Sequence, residues 1–85
     1  MKVREKISEI LSELTGIDSI NTDDALQEDL GLNSIQMVTL LIMIEDNFNI
    51  FLDESDMNPY DLIYVYQIVD VVEKYIKGDS DEENQ

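Results

Sequence analysis

The segment DLGLNSIQMVTLLIMIEDNF, residues 29–48, is the most apolar part of the chain and decides which fold the chain can adopt. Eight of the ten residues from Ile35 to Ile44 are apolar, and Gln36 and Thr39 are the exceptions. A surface helix needs an apolar stripe only about 100° wide. This segment therefore predicts a helix with more apolar surface than a small bundle can bury.

The apolar segment predicts a helix that begins near Ser34 and runs to about Asn47. Part of its apolar surface must face outward, and we expect Met37 and Met43 to be its exposed members. Methionine is flexible and often serves surfaces that contact partner proteins. The common alternative for any one methionine is that it fills the core.

On the N-terminal side, apolar residues at helical spacing predict a first helix from about Lys2 to Thr15, which Gly16 ends. A long loop, IDSINTDDALQEDLGL, connects it to the apolar helix. A loop of this length in a small domain is usually functional or disordered. Five apolar residues distributed through the loop argue that it is fixed to the core: Ile17, Ile20, Leu26, Leu30 and Leu32.

On the C-terminal side, Asn58 followed by Pro59 is typical of a helix start and predicts a short helix from Pro59 to about Tyr64. A last helix is predicted from about Tyr66 to Lys77, and Gly78 is expected to end it. Its inward side chains are expected to be Ile68, Val71, Val72, Tyr75 and Ile76.

The predicted elements describe an all-α fold, a four-helix bundle with three longer helices, a short third helix and a long first loop. Residues 1–77 form the single expected domain, because 85 residues provide one small core. Residues 78–85 are expected to form an acidic, disordered tail.

Composition excludes several classes of function. The chain has no cysteine and no histidine, so it lacks the commonest nucleophile, general base and metal ligands, and we expect that it is not an enzyme. Its net charge is −15, which disfavours binding to nucleic acids and to anionic membranes. The same charge attracts basic surfaces of partner proteins. With no signal peptide or membrane-spanning run, we expect a soluble, cytoplasmic monomer.

The acidic residues do not follow a metal-binding pattern. The loops that begin at Asp18 and Asp53 lack the alternating oxygen ligands and the glycine of an EF-hand, so no metal site is expected. The paired acids Glu28 and Asp29, and Glu45 and Asp46, have no neighbouring feature that would make them an acid–base pair. We interpret these four residues as charges that dock a partner.

Ser34 stands where the loop meets the apolar helix, and two roles are open to it. As a helix cap it would be ordinary, although Asn33 is an equally good cap that would leave Ser34 at the first helical position. As a modification site it would present its hydroxyl to solvent, after the flexible Gly31 and before a helix with exposed apolar surface. A phosphate ester there would lie beside unpaired N–H groups at the positive end of the helix dipole.

The segment LGLNSIQMVTLLIMIEDNFNI resembles the attachment motif of acyl carrier proteins and peptidyl carrier domains. In that motif a glycine, an apolar residue and usually an aspartate precede a serine that opens the second helix. The long loop before the segment and the sequence after it are also similar to the family, so the resemblance covers roughly residues 3–76.

The resemblance implies that 4′-phosphopantetheine is attached to Ser34 and carries acyl or aminoacyl groups as thioesters, as in fatty acid or polyketide biosynthesis. It implies as partners a phosphopantetheinyl transferase, a loading ligase and synthase enzymes with basic docking patches. The residues expected to dock them are Glu28, Asp29, Ile35, Met37, Glu45 and Asp46.

One residue departs from the family pattern. Asn33 occupies the position of the usual aspartate, which removes a charge that the modifying transferase normally meets. A hypothesis from another class also fits the residues: an acidic helical module that binds a basic partner and is never pantetheinylated. In that case Ser34 only caps the helix.

Overall fold

The computed structural model describes residues 3–58 and 60–83, and the side chains as far as residue 76. Three α-helices form the fold: α1 (Val3–Thr15), α2 (Ser34–Phe48) and α3 (Val65–Glu83). A short 3-10 helix, Glu54–Asp56, lies between α2 and α3. The prediction of an all-α bundle with a long first loop is confirmed. Within the described residues, no helix combines the length and apolar character needed to cross a membrane.

Helix α1 agrees with the sequence prediction. Its apolar stripe buries Ile7, Ile10 and Leu11 against the other two helices. Gly16 follows the helix with φ +78°, a left-handed conformation that glycine adopts without strain, and its N–H donates to the Ser12 carbonyl (2.8 Å). The glycine therefore ends α1 as expected.

The long first loop is fixed to the core, as its apolar residues predict. Leu26, Leu30 and Leu32 are buried, and Ile17 and Ile20 pack against the core with part of their surface exposed. Backbone hydrogen bonds join the loop to the start of α3: the Leu26 N–H donates to the Ile63 carbonyl and the Val65 N–H to the Asp24 carbonyl. The loop thus forms one wall of the bundle.

The burial pattern of α2 corrects one prediction. Met37 is fully buried (0% exposed), so its expected exposure is wrong, while Met43 is half-buried. Met37 lies three, four and seven residues before the other core residues of α2, and this spacing places all four on the side that packs into the core. The inward residues of α2 are Met37, Leu40, Leu41 and Ile44.

The apolar surface that α2 leaves exposed consists of Ile35, Val38 and Ile42, which we call the outward row. Ile35 is 77% exposed. The expectation of excess apolar surface on this helix is therefore correct, but different side chains provide it.

The short third helix is not where the sequence predicts it. Residues 60–64 are not helical, and Pro59 lies outside the described residues. The side chain of Gln67 explains the difference, because its Oε1 accepts hydrogen bonds from the N–H groups of Ile63 and Tyr64 (2.8 Å each) and its Nε2 donates to the Asp61 carbonyl (3.0 Å). These bonds hold the segment in a non-helical form, with a turn at residues 60 and 61 and an isolated antiparallel bridge between Tyr64 and Ala25.

Helix α3 is longer than predicted, and the expectation that Gly78 ends it is wrong. The helical backbone continues to Glu83. Glycine inside a helix costs about 1 kcal/mol relative to alanine, which does not prevent continuation. Ile68 and Val72 face the core as expected, whereas Ile76 is more than a third exposed. The acidic tail over residues 78–85 stays a prediction, and residues 84–85 lie outside the described residues.

Candidate functional site

Ser34 is the first residue of α2, and its side chain is exposed to solvent. Asn33, in extended conformation (φ −90°, ψ 178°), caps the helix, so the interpretation of Ser34 as the cap is wrong and the alternative cap is correct. Among the described residues, the Ser34 hydroxyl makes no hydrogen bond. Since the capping role is filled by its neighbour, this hydroxyl is left without a structural role.

The cap of α2 is reciprocal. The Gln36 N–H donates to Asn33 Oδ1 (2.8 Å), and the Asn33 N–H donates to Gln36 Oε1 (3.1 Å). This capping box satisfies two of the backbone donors at the start of the helix. In the described part of the chain, the N–H groups of Ser34 and Ile35 have no acceptor. The first turn therefore keeps two donors beside the serine.

The approach to Ser34 is rigidly positioned. Leu30 and Leu32 are buried on either side of Gly31, which has φ +73°. No atom lies within 4 Å of the place that a Cβ on Gly31 would occupy, so the glycine is needed for its conformation and not for space. The two leucines fix the loop, and the turn at Gly31 brings Ser34 to the surface.

The first turn of α2 suits a phosphodiester. It contains no acidic residue that would repel a phosphate. The two unpaired N–H groups and the positive end of the helix dipole favour an anion at this position. On these observations the residues at Ser34 fit a phosphopantetheine group.

The two predicted apolar docking residues differ in their exposure to solvent. Ile35 is next to Ser34 and is exposed, whereas Met37 is buried in the core and cannot contact a partner in this structure. Sequence reasoning missed Val38 and Ile42, which lie three and seven residues beyond Ile35 on the same side of α2. Helical spacing places both on the face of Ile35, but the sequence of α2 has no clear polar face that would show this side to be outward.

The four acidic docking residues lie in two separate places. Glu28 and Asp29 are exposed in the first loop, while Glu45 and Asp46 are in the last turn of α2, and Ser34 and Asp46 are roughly 18 Å apart along the helix axis. The structure therefore does not bring the four together.

Two of these carboxylates have structural partners. The Ala25 N–H donates to Asp29 Oδ2 (2.7 Å), and the Leu52 N–H donates to the half-buried Glu45 Oε2 (2.8 Å). Glu28 and Asp46 are exposed, and among the described residues neither side chain makes a hydrogen bond. Of the four predicted docking acids, Asp46 and Glu28 are consequently the most available to a partner.

A cluster at the middle of α3 holds the 3-10 helix in place. The Tyr75 hydroxyl donates to Asp56 Oδ2 (2.7 Å) and accepts from the Asp53 N–H (2.7 Å), and Lys74 Nζ lies 3.0 Å from both oxygens of Asp56. The hydrogen bond from Tyr75, followed by that from Lys74, lowers the pKa of Asp56. Burial and the bond to Asp56 raise the pKa of Tyr75.

Comparison with known proteins gives consistent matches. A family described as "Phosphopantetheine attachment site" matches residues 5–63. An acyl carrier protein of Buchnera aphidicola is 30% identical over 76 residues, which are 87% of this chain and 95% of that protein. The non-reducing polyketide synthase dbaI of Emericella nidulans is 32% identical over 81 residues, which are 94% of this chain and 3% of that protein.

Among solved structures, the fold is similar to that of the acyl carrier protein of Thermotoga maritima. The TM-score is 0.74 at 24% sequence identity, over 89% of this chain and 93% of the other. At this identity the likeness concerns the fold.

Proposed function

The chain belongs to the family with a phosphopantetheine attachment site that includes the acyl carrier proteins, and we propose that Ser34 is the residue that bears the prosthetic group. Members of the family carry acyl groups for other enzymes, and the chain is accordingly a carrier and not an enzyme. When bound, 4′-phosphopantetheine supplies the thiol that holds the acyl group as a thioester. The chain has no cysteine, so it has no thiol of its own for this purpose.

The observation that carries the assignment to Ser34 is its exposed hydroxyl at the first position of α2. Asn33 and Gln36 complete the cap without it, and the unpaired N–H groups of Ser34 and Ile35 lie beside the expected phosphate. Leu30 and Leu32 hold the loop so that the hydroxyl remains at the surface. These features support the attachment of a phosphodiester at the Ser34 hydroxyl.

The proposed docking surface for partner enzymes is the outward row of α2 with Asp46 at its end. Ile35, Val38 and Ile42 provide apolar contact, and Asp46 attracts a basic patch. Glu45 supports this surface by accepting from the Leu52 N–H, and it contributes charge. The expected partners are a phosphopantetheinyl transferase, a ligase that loads the arm and synthase enzymes that use the tethered group.

The experiment that tests the proposal is intact-mass analysis after incubation with coenzyme A, Mg²⁺ and a broad-specificity phosphopantetheinyl transferase. The expected result is the addition of one phosphopantetheinyl group, which Ser34→Ala abolishes. Ser19→Ala is the matched control because Ser19 is an exposed serine like Ser34 but lies in the first loop, and modification of this variant should equal that of the parent chain. An unmodified parent chain would instead favour an acidic interaction module in which Ser34 bears nothing.

A further inference from the structure

The non-helical segment before α3 (residues 60–64) and the first turn of α3 expose aromatic side chains that the carrier function described above does not use. Tyr60 is 89% exposed, and Ile63, Tyr64 and Tyr66 are each more than a third exposed. The rings of Tyr64 and Tyr66 stack, with centroids 5.3 Å apart and planes 9° from parallel. We call these four residues the aromatic ledge. Apolar groups clustered at a surface in this way often mark an interaction site.

The ledge is held in a fixed shape. Gln67 makes three hydrogen bonds to the backbone of residues 61–64, and Asn58 Oδ1 accepts from the Tyr60 N–H (3.0 Å). The Leu26 N–H donates to the Ile63 carbonyl (2.8 Å), which fastens the segment to the first loop. A partner that binds the ledge therefore meets a surface that needs little ordering.

Beside the ledge is a cavity of about 260 Å³ between the first loop and the non-helical segment. Its lining combines four kinds of residue: apolar residues, the aromatic Tyr60, the acidic Glu28 and the amide Gln27. The lining residues are Ala25, Gln27, Glu28, Tyr60, Leu62 and Ile63.

This combination matches an arginine side chain better than other groups. Arginine packs its methylene stem on apolar surface, its planar guanidinium stacks on aromatic rings, and its N–H fork binds carboxylates. Lysine offers a point charge without the planar face. The surroundings of the cavity are acidic, since its lining contains Glu28 and no lysine or arginine, and Asp61 is exposed next to Tyr60 in the sequence. Arg4 lines a separate cavity with Tyr66.

We propose that the aromatic ledge and its cavity form a second docking surface, separate from α2, that receives an arginine of a partner protein. The partner chemistry is an arginine-bearing protein surface, with the guanidinium placed between the Tyr60 ring and the Glu28 carboxylate. Among the described residues, the hydroxyls of Tyr60, Tyr64 and Tyr66 make no hydrogen bonds within the chain, so they remain available to the partner. The inference rests on the proposed function only in that the partner is expected to be an enzyme that handles the tethered group.

The test is an amide chemical-shift titration of the full, unmodified chain with two amphipathic peptides that are identical except that every cation is arginine in one and lysine in the other. The arginine peptide should bind roughly two- to fivefold more tightly and should shift the amides of Gln27, Glu28 and Ile63. Tyr60→Ala and Glu28→Gln should each remove the preference for arginine.

Phe51→Ala is the matched control, because Phe51 is as exposed as Tyr60 (88% and 89%) and lines a different cavity with Ile42 and Asp46. It should leave the preference for arginine unchanged. The proposal would be overturned if the two peptides bound equally or if the amide shifts were confined to α2. It would also be overturned if Phe51→Ala reduced the preference for arginine as much as Tyr60→Ala.

Two further measurements would detect a different occupant of the ledge. Sedimentation of the unmodified chain that shows a dimer, lost in Tyr60→Ala, would assign the ledge to a second copy of this chain and overturn the proposal. Shifts at the ledge in acyl-loaded chain without peptide would assign it to the carried group, with the same consequence. Because the titration uses unmodified chain, failure of Ser34 to be modified would count against the proposed function alone.

Discussion

At the scale of single residues, Asn33 stands where the resemblance to carrier proteins leads us to expect an aspartate, and the helix cap accommodates it. Asparagine and aspartate both cap helices well, because each offers a side-chain oxygen to a backbone N–H. Asn33 makes this bond to Gln36 and completes the reciprocal cap. The helix start is therefore retained, and what the exchange changes is the charge beside Ser34.

The cap gives a prediction for stability. Asn33→Ala removes the acceptor for the Gln36 N–H and should lower the free energy of unfolding by about 1 kcal/mol in urea denaturation. Asn33→Asp keeps an acceptor and adds a negative charge at the positive end of the helix dipole, so it should be at least as stable as the parent. Asn47→Ala, at an exposed site in the same helix, serves as the control and should change the value by less than about 0.5 kcal/mol. A loss in Asn47→Ala equal to that in Asn33→Ala would refute the role of the cap.

Sequence reasoning located Ser34 correctly at the helix start but left open which residue caps the helix. Either neighbour satisfies the local preference for a polar side chain at this position. The choice depends on Gln36, whose side chain returns to the Asn33 N–H and makes the asparagine cap reciprocal. A search for a Gln or Glu three residues after each candidate would have favoured Asn33.

At the scale of elements, composition predicts that α2 has excess apolar surface but does not say which residues provide it. Eight apolar residues in ten leave no clear polar face from which to orient the helix. The general behaviour of methionine at partner surfaces predicts that it lies outside. The packing of the first loop and α1 against α2 instead selects Met37 for the core and leaves Ile35 outside.

The orientation of α2 predicts that two similar truncations change the free energy of unfolding by very different amounts. Met37→Ala opens a cavity in the core and should lower the free energy of unfolding by about 2–5 kcal/mol. Ile35→Ala, at a side chain that is 77% exposed, should change it by less than about 0.5 kcal/mol. Urea denaturation of both variants measures the difference. Similar losses in the two would show that α2 is rotated relative to this structure.

The region between α2 and α3 was the least predictable from sequence. The pair Asn58 and Pro59 is a reasonable local signal for a helix start, yet residues 60–64 form a turn and an irregular segment whose backbone Gln67 binds. The 3-10 helix is fixed by Tyr75 and Lys74, which are 19 and 18 residues away from Asp56. Contacts of this range do not appear in local sequence patterns.

The cluster at Asp56 predicts a dependence on pH. Its bonds to Tyr75 and Lys74 place the pKa of Asp56 below its ordinary value of 3.8, so the ionised form is favoured in the folded chain. The resulting stabilisation is present above the unfolded pKa and is lost as the pH falls through the lower, folded pKa.

Urea denaturation at a series of pH values measures this effect. Asp56→Asn should be less stable than the parent at neutral pH, and the difference should shrink below about pH 4. Asp61→Asn is the control, at an exposed aspartate whose carboxylate makes no hydrogen bond among the described residues. If parent and Asp56→Asn differed in free energy of unfolding by the same amount down to low pH, the result would contradict the ion pair between Asp56 and Lys74.

At the scale of the whole molecule, charge and helix order were predictable from sequence. The net charge of −15 and the absence of cations between Ile7 and Glu73 follow directly from composition. The spacing of apolar residues is enough to identify α1, α2 and α3 and the loop that packs on them. Which carboxylates bind a backbone N–H group depends on the three-dimensional fold and cannot be predicted from composition. Glu45, for example, accepts a hydrogen bond from the Leu52 N–H.

The distribution of charge predicts how the chain meets basic partners. Asp46→Lys reverses an exposed charge beside the outward row and should raise the apparent KM of a phosphopantetheinyl transferase at low salt. Increasing the ionic strength should reduce the difference from the parent, because salt screens exposed charges. Asp18→Lys makes the same change in net charge at an exposed site outside the outward row and should have a smaller effect. Equal effects of the two variants would show that only total charge matters.

The account depends above all on Ser34 as the point of attachment, and fragmentation mass spectrometry of the modified chain tests this most directly. The chain is treated with coenzyme A and a phosphopantetheinyl transferase, cleaved, and each serine-containing peptide is sequenced. We predict that the phosphopantetheinyl mass is found on Ser34 and on no other residue. Its location on Ser19, Ser55 or another side chain would contradict the account.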